Sequence, residues 1–207
     1  MVNCRAVLKF ATSSISSSSQ DFKQFHYLFQ TGVLIRARVG CSLGSLLRDE
    51  WHMDPDYVAS RITTIFIDGR AIDDIDSALV TEGSTVALSG AMPGLVGATM
   101  RRGGHLAAMR ANMTYLDTFS ESVEHYGLIR LKLFNLLLHD LVPFFLRFGI
   151  MLSVAQAADL LRSGHFKADE VSLVMEDEEF TPDLIKNGFS LPVGDYLRVV
   201  VSVEECL

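Results

Sequence analysis

Five consecutive residues, Arg101-Arg102-Gly103-Gly104-His105, are the part of this 207-residue chain best equipped for chemistry. Two guanidiniums, an imidazole and the unobstructed main-chain amides of two glycines can hold an anion by charge and by N–H donation. No Walker spacing accompanies them, so a nucleotide is not implied. The six histidines, His26, His52, His105, His125, His139 and His165, never form H-x-H or H-E-x-x-H, and no metal site is expected. There is no G-x-S-x-G elbow, and Gly40-Cys-Ser-Leu-Gly44 lacks the spacing of a dinucleotide loop. His139-Asp140 cannot act as a general-base pair on a helix, because neighbours there do not face each other. No local catalytic constellation is present, and neither catalysis nor a cofactor is expected.

The remaining ionisable groups read as structural. Asp68, Asp73, Asp74 and Asp76 crowd one connector without the D-x-D-x-D-G series of a calcium loop, and turn or helix capping is their expected role. Glu176-Asp177-Glu178-Glu179 reads as a solvated loop rather than a cation site. Cys4, Cys41 and Cys206 stand far apart and form no C-x-x-C, which points to a reducing, cytoplasmic setting, with Cys41 a small buried residue. A net charge of -7 argues against nucleic acid as partner. The apolar stretch 128–152 is interrupted by Arg130, Lys132, His139, Asp140, Pro143 and Arg147 and does not read as a membrane span.

The elements that must position these groups are legible in pieces. Residues 1–24 form a polar, Ser-rich extension. Residues 25–29 and 33–39 are expected to be strands joined through Gln30-Thr31-Gly32, the second with Val33, Ile35, Ala37 and Val39 on its buried face. Ser42 caps a helix carrying Leu43, Leu46, Leu47 and Trp51, and Asp54-Pro55 starts a short second one. Residues 62–67 form a strand ended by Asp68-Gly69. Another pair of strands lies around Leu79-Val80 and 84–89, turned at Glu82-Gly83. The glycine-rich passage 90–104 marks a linker or a tail, followed by a helix-permissive 105–113. Thr118 to Glu121 matches a capping box, with Gly127 stopping that helix. A strand follows at 128–134, and Pro143 interrupts any helix over 135–148. Ser153-Val-Ala-Gln156 is a second capping box, leading to a helix ended at Gly164. Strands at 171–175 and 196–203, with a turn at Thr181-Pro182, close the chain. His26-Tyr27 is echoed by His125-Tyr126, and Glu82-Gly83-Ser84 by Val193-Gly194-Asp195; these matches are too short to establish a repeat.

The order hairpin, helix, strand, acidic connector, turn, strand resembles the ubiquitin-like β-grasp fold. Residues 67–73 and 78–88 are similar to the closing part of sulfur-carrier proteins, such as the small subunit of molybdopterin synthase and the thiazole-synthesis carrier. The resemblance covers roughly residues 25–104. It implies an α+β protein with an N-terminal β-grasp domain over 25–100, a linker over 101–118 and a second small α/β domain over 119–207. Carriers end in Gly-Gly and are activated at that carboxyl; here Gly103-Gly104 is internal, so a carrier role would require cleavage after Gly104. The leading expectation is a non-catalytic binding or scaffold module that meets a protein partner or a second copy of itself. The second alternative is an enzyme with its site between the halves, using Arg101, Arg102, His105 and the acidic run Glu176-Asp177-Glu178-Glu179 of the C-terminal half.

Overall fold

The computed structural model describes residues 6–11, 22–113, 123–163, 171–175, 178–180 and 196–202. The chain is mixed α/β and forms two compact units, one from residues 29–138 and one from residues 1–28 with 139–207. The expected succession of a 25–100 domain, a 101–118 linker and a 119–207 domain is therefore replaced by nesting, with the 29–138 unit inserted into the other.

In the 29–138 unit, Val33–Val39 alternates as expected, with Val33, Ile35, Ala37 and Val39 at most 3% exposed. Its neighbour is the antiparallel strand His125–Phe134, in which Ile35 lies opposite Ile129 and Val33 opposite Leu131. That strand pairs in parallel with Thr85–Ser89, which is antiparallel to Thr64–Ile67, which in turn pairs with Arg70–Ala71. Ile129, Leu131, Leu133, Val86, Leu88, Ile65 and Ile67 are buried. A strand from beyond the expected linker thus stands at the centre of this sheet. Gly127 lies within it rather than ending a helix: a Cβ there would stand 3.0 Å from Val39 Cγ2, so a side chain at this position would require Val39 to shift by a few tenths of an ångström.

Local signals near the sheet behave as their chemistry dictates. Ser42 Oγ accepts from the Ser45 amide at 3.1 Å, and Leu43–Ser45 continues into a wider π-turn over Leu46–Glu50. Leu43, Leu46, Leu47 and Trp51 are buried as the spacing requires. Asp54 Oδ1 accepts from the Tyr57 amide at 2.9 Å and starts the helix Pro55–Ser60. Asp68 and Gly69 both have positive φ, +49° and +78°, and Asp68 Oδ1 accepts from the Thr85 amide at 2.7 Å.

Residues 25–29 are helical, not a strand, within Lys23–Thr31. Phe22, Phe25 and Phe29 recur at three and four residues and are all buried, which is the period of a helix face. The helix ends at Gly32, whose φ of +111° suits glycine alone. Part of the N-terminal extension is also ordered: Ala6–Ala11 is a strand.

In the other unit, Ala6–Ala11 pairs in parallel with Tyr196–Ser202 and antiparallel with Val171–Met175, which pairs with Glu178–Phe180. Tyr196–Ser202 pairs antiparallel with Ile150–Ser153. Glu178 and Glu179 are therefore strand residues, not loop. Ser153 and Gln156 form the reciprocal capping box: the Gln156 amide donates to Ser153 Oγ at 3.2 Å and the Ser153 amide to Gln156 Oε1 at 3.0 Å. Helix Leu137–Phe148 runs through Pro143 instead of breaking there. Leu138, Leu141, Val142, Phe145 and Leu146 are all buried, and this apolar face outweighs the hydrogen bond that proline cannot donate. Pro143→Ala, which can donate to the His139 carbonyl, is expected to stabilise the protein by about 1 kcal/mol or more, read as a higher urea midpoint. The expected capping box at 118–121, the stop at Gly164 and the turn at Thr181-Pro182 lie outside the described residues.

Candidate functional site

The glycine-rich passage is folded. Gly94–Met100 is a helix, and Ala107–Met113 forms 3-10 turns. Gly97, the buried residue of that helix, leaves no room for a side chain, since a Cβ would fall 1.9 Å from the Met92 carbonyl oxygen. Between the two helices, Gly103 adopts φ +62° and the Gly104 amide donates to the Arg101 carbonyl at 3.1 Å. Gly103-Gly104 is thus a tight turn within a compact unit, not the end of a free tail.

Arg110 organises the segment. Its side chain is 2% exposed; Nε donates to the Thr99 carbonyl at 2.7 Å and Nη2 to Asp73 Oδ1 at 2.5 Å. The same Asp73 oxygen accepts from the Gly103 amide at 3.1 Å. A carboxylate of the chain itself therefore meets the main-chain donor that the sequence offered to an external anion. The acidic connector supplies it, while Asp74 Oδ1 accepts from the Asp76 amide and Asp76 pairs with Arg48. The hydrogen bond from the Asp76 amide, with the Ser77 hydroxyl, holds the Asp74 carboxyl below its ordinary value.

The five residues singled out by the sequence do not converge. Arg101 and His105 are exposed. Arg102 turns back onto the unit: its amide donates to the Thr63 carbonyl at 2.8 Å and its Nη2 to the Val58 carbonyl at 3.1 Å. Burial pushes the Arg102 guanidinium down from its ordinary value, against the raising effect of Asp73 and Asp76. The residue that sequence reasoning missed is Arg110. Its signal was a single cation in an otherwise uncharged stretch, 106–113, set against four aspartates in the connector.

Besides Arg101 and His105, the segment displays large apolar side chains. Leu95, Val96 and Met109 are 67%, 66% and 70% exposed, on elements anchored from beneath by Arg110. Cys41 is buried, and burial pushes its thiol up, so it is unsuited to nucleophilic work. No group of three or more histidine, cysteine or carboxylate side chains able to hold a metal ion occurs among the described residues. No helix among them is long and apolar enough to cross a membrane.

One ionisable pair lies in the other unit. The rings of His26 and His139 meet edge to face with centroids 4.9 Å apart, and His26 Nε2 is buried. Burial pushes the His26 imidazole below 6.5, and His139 and Lys23 push it the same way. The folded state therefore favours neutral His26, while the unfolded chain takes up the proton first. The stability this contributes is whole above pH 6.5 and is lost as pH falls through 6.5 towards the lower folded value. The urea midpoint is expected to drop between about pH 7 and about pH 5, and to drop less in His26→Gln, whose side chain does not titrate in that range.

Compared with known proteins, the chain matches no family model, no curated protein and no solved structure. These comparisons lend no support to the expected resemblance to sulfur carriers.

Proposed function

We propose that residues 29–138 form a β-grasp module whose work is to bind a protein through the segment 94–113, without catalysis. The spatial order 33–39, 125–134, 85–89, 64–67, 70–71 has one parallel pair at its centre and antiparallel pairs elsewhere. That pattern, with helical turns following the strand Val33–Val39, supports a β-grasp whose first strand arrives last in the chain. The observation that carries the function is the exposure of Leu95, Val96 and Met109 on a segment fixed by the buried Arg110 and its pairing with Asp73. A loosely attached loop would bury such side chains against its own unit. A rigid one that leaves them out suits a partner with an apolar surface.

Cleavage after Gly104 fits these residues poorly. It would separate Arg110 from Thr99 and from the Gly103 turn, and would cut the chain that delivers His125–Phe134 to the middle of the sheet. Intact mass of the protein from its native host is expected to show no species ending at Gly104.

The binding reading is tested by a photo-crosslinking residue at Val96 in the native host, with Glu82 as an exposed control. Discrete adducts at 96, absent at 82 and abolished by Leu95→Ser with Met109→Ser, are expected. An unchanged adduct pattern at both positions would remove the proposal.

A further inference from the structure

We infer that the chain is an internal duplication, residues 6–89 and 125–202, and that each sheet takes in the first strand of the other copy. The two stretches run through the same elements in the same order. The first is strand Ala6–Ala11, helix Lys23–Thr31, strand Val33–Val39, the Ser42-capped helical turns over 43–50, then strands Thr64–Ile67, Arg70–Ala71 and Thr85–Ser89. The short helix Pro55–Ser60 and the pair Cys41–Ser42 with Leu79–Val80 have no counterpart among the described residues of the second stretch. The second is strand His125–Phe134, helix Leu137–Phe148, strand Ile150–Ser153, the Ser153-capped helix Val154–Ser163, then strands Val171–Met175, Glu178–Phe180 and Tyr196–Ser202.

Details at equivalent places agree. Each first helix ends at a glycine of positive φ directly before the next strand, Gly32 at +111° and Gly149 at +92°. Each second helix opens with a serine hydroxyl accepting from the amide three residues on. The first strands carry Leu8-Lys9-Phe10 and Leu131-Lys132-Leu133. The echo His26-Tyr27 with His125-Tyr126 falls out of this register, which is why short matches conceal the duplication.

The strands of the two units follow the same pattern of directions: antiparallel, parallel, antiparallel, antiparallel along the order of neighbours. One runs 33–39, 125–134, 85–89, 64–67, 70–71; the other runs 150–153, 196–202, 6–11, 171–175, 178–180. The first strand of each copy stands in the sheet otherwise built by the other. The two strands of the parallel pair stand in opposite order: beside 33–39 lies the first strand of the second stretch, 125–134, whereas beside 150–153 lies its last, 196–202. Because those two are parallel to each other, either placement gives every neighbour the same direction, and backbone pairing is satisfied both ways. The exchange makes each sheet dependent on both halves of the chain, a form of domain swapping within one molecule.

This inference does not rest on the binding role proposed above, and its test does not use the 94–113 segment. Leu34 and Arg130 are Cα partners, so Leu34→Cys with Arg130→Cys should oxidise to a disulfide within one chain. In the unexchanged arrangement, Val7 would occupy the place of Arg130, since Leu8 corresponds to Leu131. The full-length pairs 34/130 and 34/7 are oxidised side by side, their products are mapped by peptide mass, and the emission of Trp51 monitors folding. The 34/130 bond is expected to form within the monomer on the order of a hundredfold faster than 34/7. Arg36→Cys with Leu128→Cys, also Cα partners, covers the case in which the first pair disturbs the fold. A preference for 34/7, an interchain 34/130 product of doubled mass, or failure of both 34/130 and 36/128 to close would each overturn the inference.

Discussion

Replacing Leu131 by aspartate is expected to unfold the 29–138 unit. Leu131 is 0% exposed on the strand that lies between Val33–Val39 and Thr85–Ser89, with Val33 and Val86 as its Cα partners. An aspartate there brings an unpaired carboxylate into an apolar core and leaves the volume of a leucine partly unfilled. Together these cost upwards of about 4 kcal/mol, a large share of the roughly 5 to 15 kcal/mol that holds a typical domain together. The readout is the emission of Trp51, the only tryptophan, which is 2% exposed in the folded unit and should shift to the red. Lys132→Asp, one residue along on the opposite face of the sheet, should change stability by about 0.5 kcal/mol or less. Equal effects at the two positions would mean that the alternation of this strand is not what buries Leu131.

The second large effect belongs to Arg110. Arg110→Met removes the cation beneath the 94–113 segment, leaves Asp73 with the Gly103 amide, and strips the Thr99 carbonyl of its donor. The charge left behind is partly solvated, since Asp73 is 36% exposed and keeps the Gly103 amide, so the cost is about 1 to 2 kcal/mol, most of it from the hydrogen bonds that the buried guanidinium made. The loss should be local. Amide exchange in 94–113 is expected to quicken by about tenfold while the strands Val33–Val39 and Thr85–Ser89 keep their protection. Asp73→Asn retains an oxygen acceptor but no charge, and should lose about half as much. If exchange in 94–113 were unchanged in Arg110→Met, the segment would be held by its helix and turns alone. If the segment loosens, photo-adducts at Val96 should weaken with it, which ties the ion pair to the proposed binding role.

The local chemistry of the chain was written plainly in its residues. Ser42, Asp54-Pro55, Asp68-Gly69 and the Ser153/Gln156 box do what their types and spacing require, because each acts on groups no more than about four residues away or, for the turn, on its own φ. The buried face of Val33–Val39 followed from alternation alone. Where the reading failed, the local pattern was outvoted or ambiguous. Phe25 to Phe29 is an apolar run that a strand can also use, and only the placement of Phe22 with Phe25 and Phe29 favours a helix. Pro143 argued for a break that five buried apolar neighbours overrode.

The candidate site was legible as a composition and not as a geometry. Arg101, Arg102, Gly103, Gly104 and His105 are adjacent in sequence, yet the group that fixes their turn is Asp73, and the cation that holds Asp73 is Arg110, 37 residues from it. The sequence by itself determined the caps, the turns and which face of a strand is buried, since these depend on side chains acting over one or two turns of backbone. Only the tertiary structure decided which strands lie side by side and which distant charges meet. The N–H and C=O groups along a strand edge are the same whatever the residue, so the choice of His125–Phe134 as neighbour of Thr85–Ser89 is made by the whole set of apolar faces packing at once.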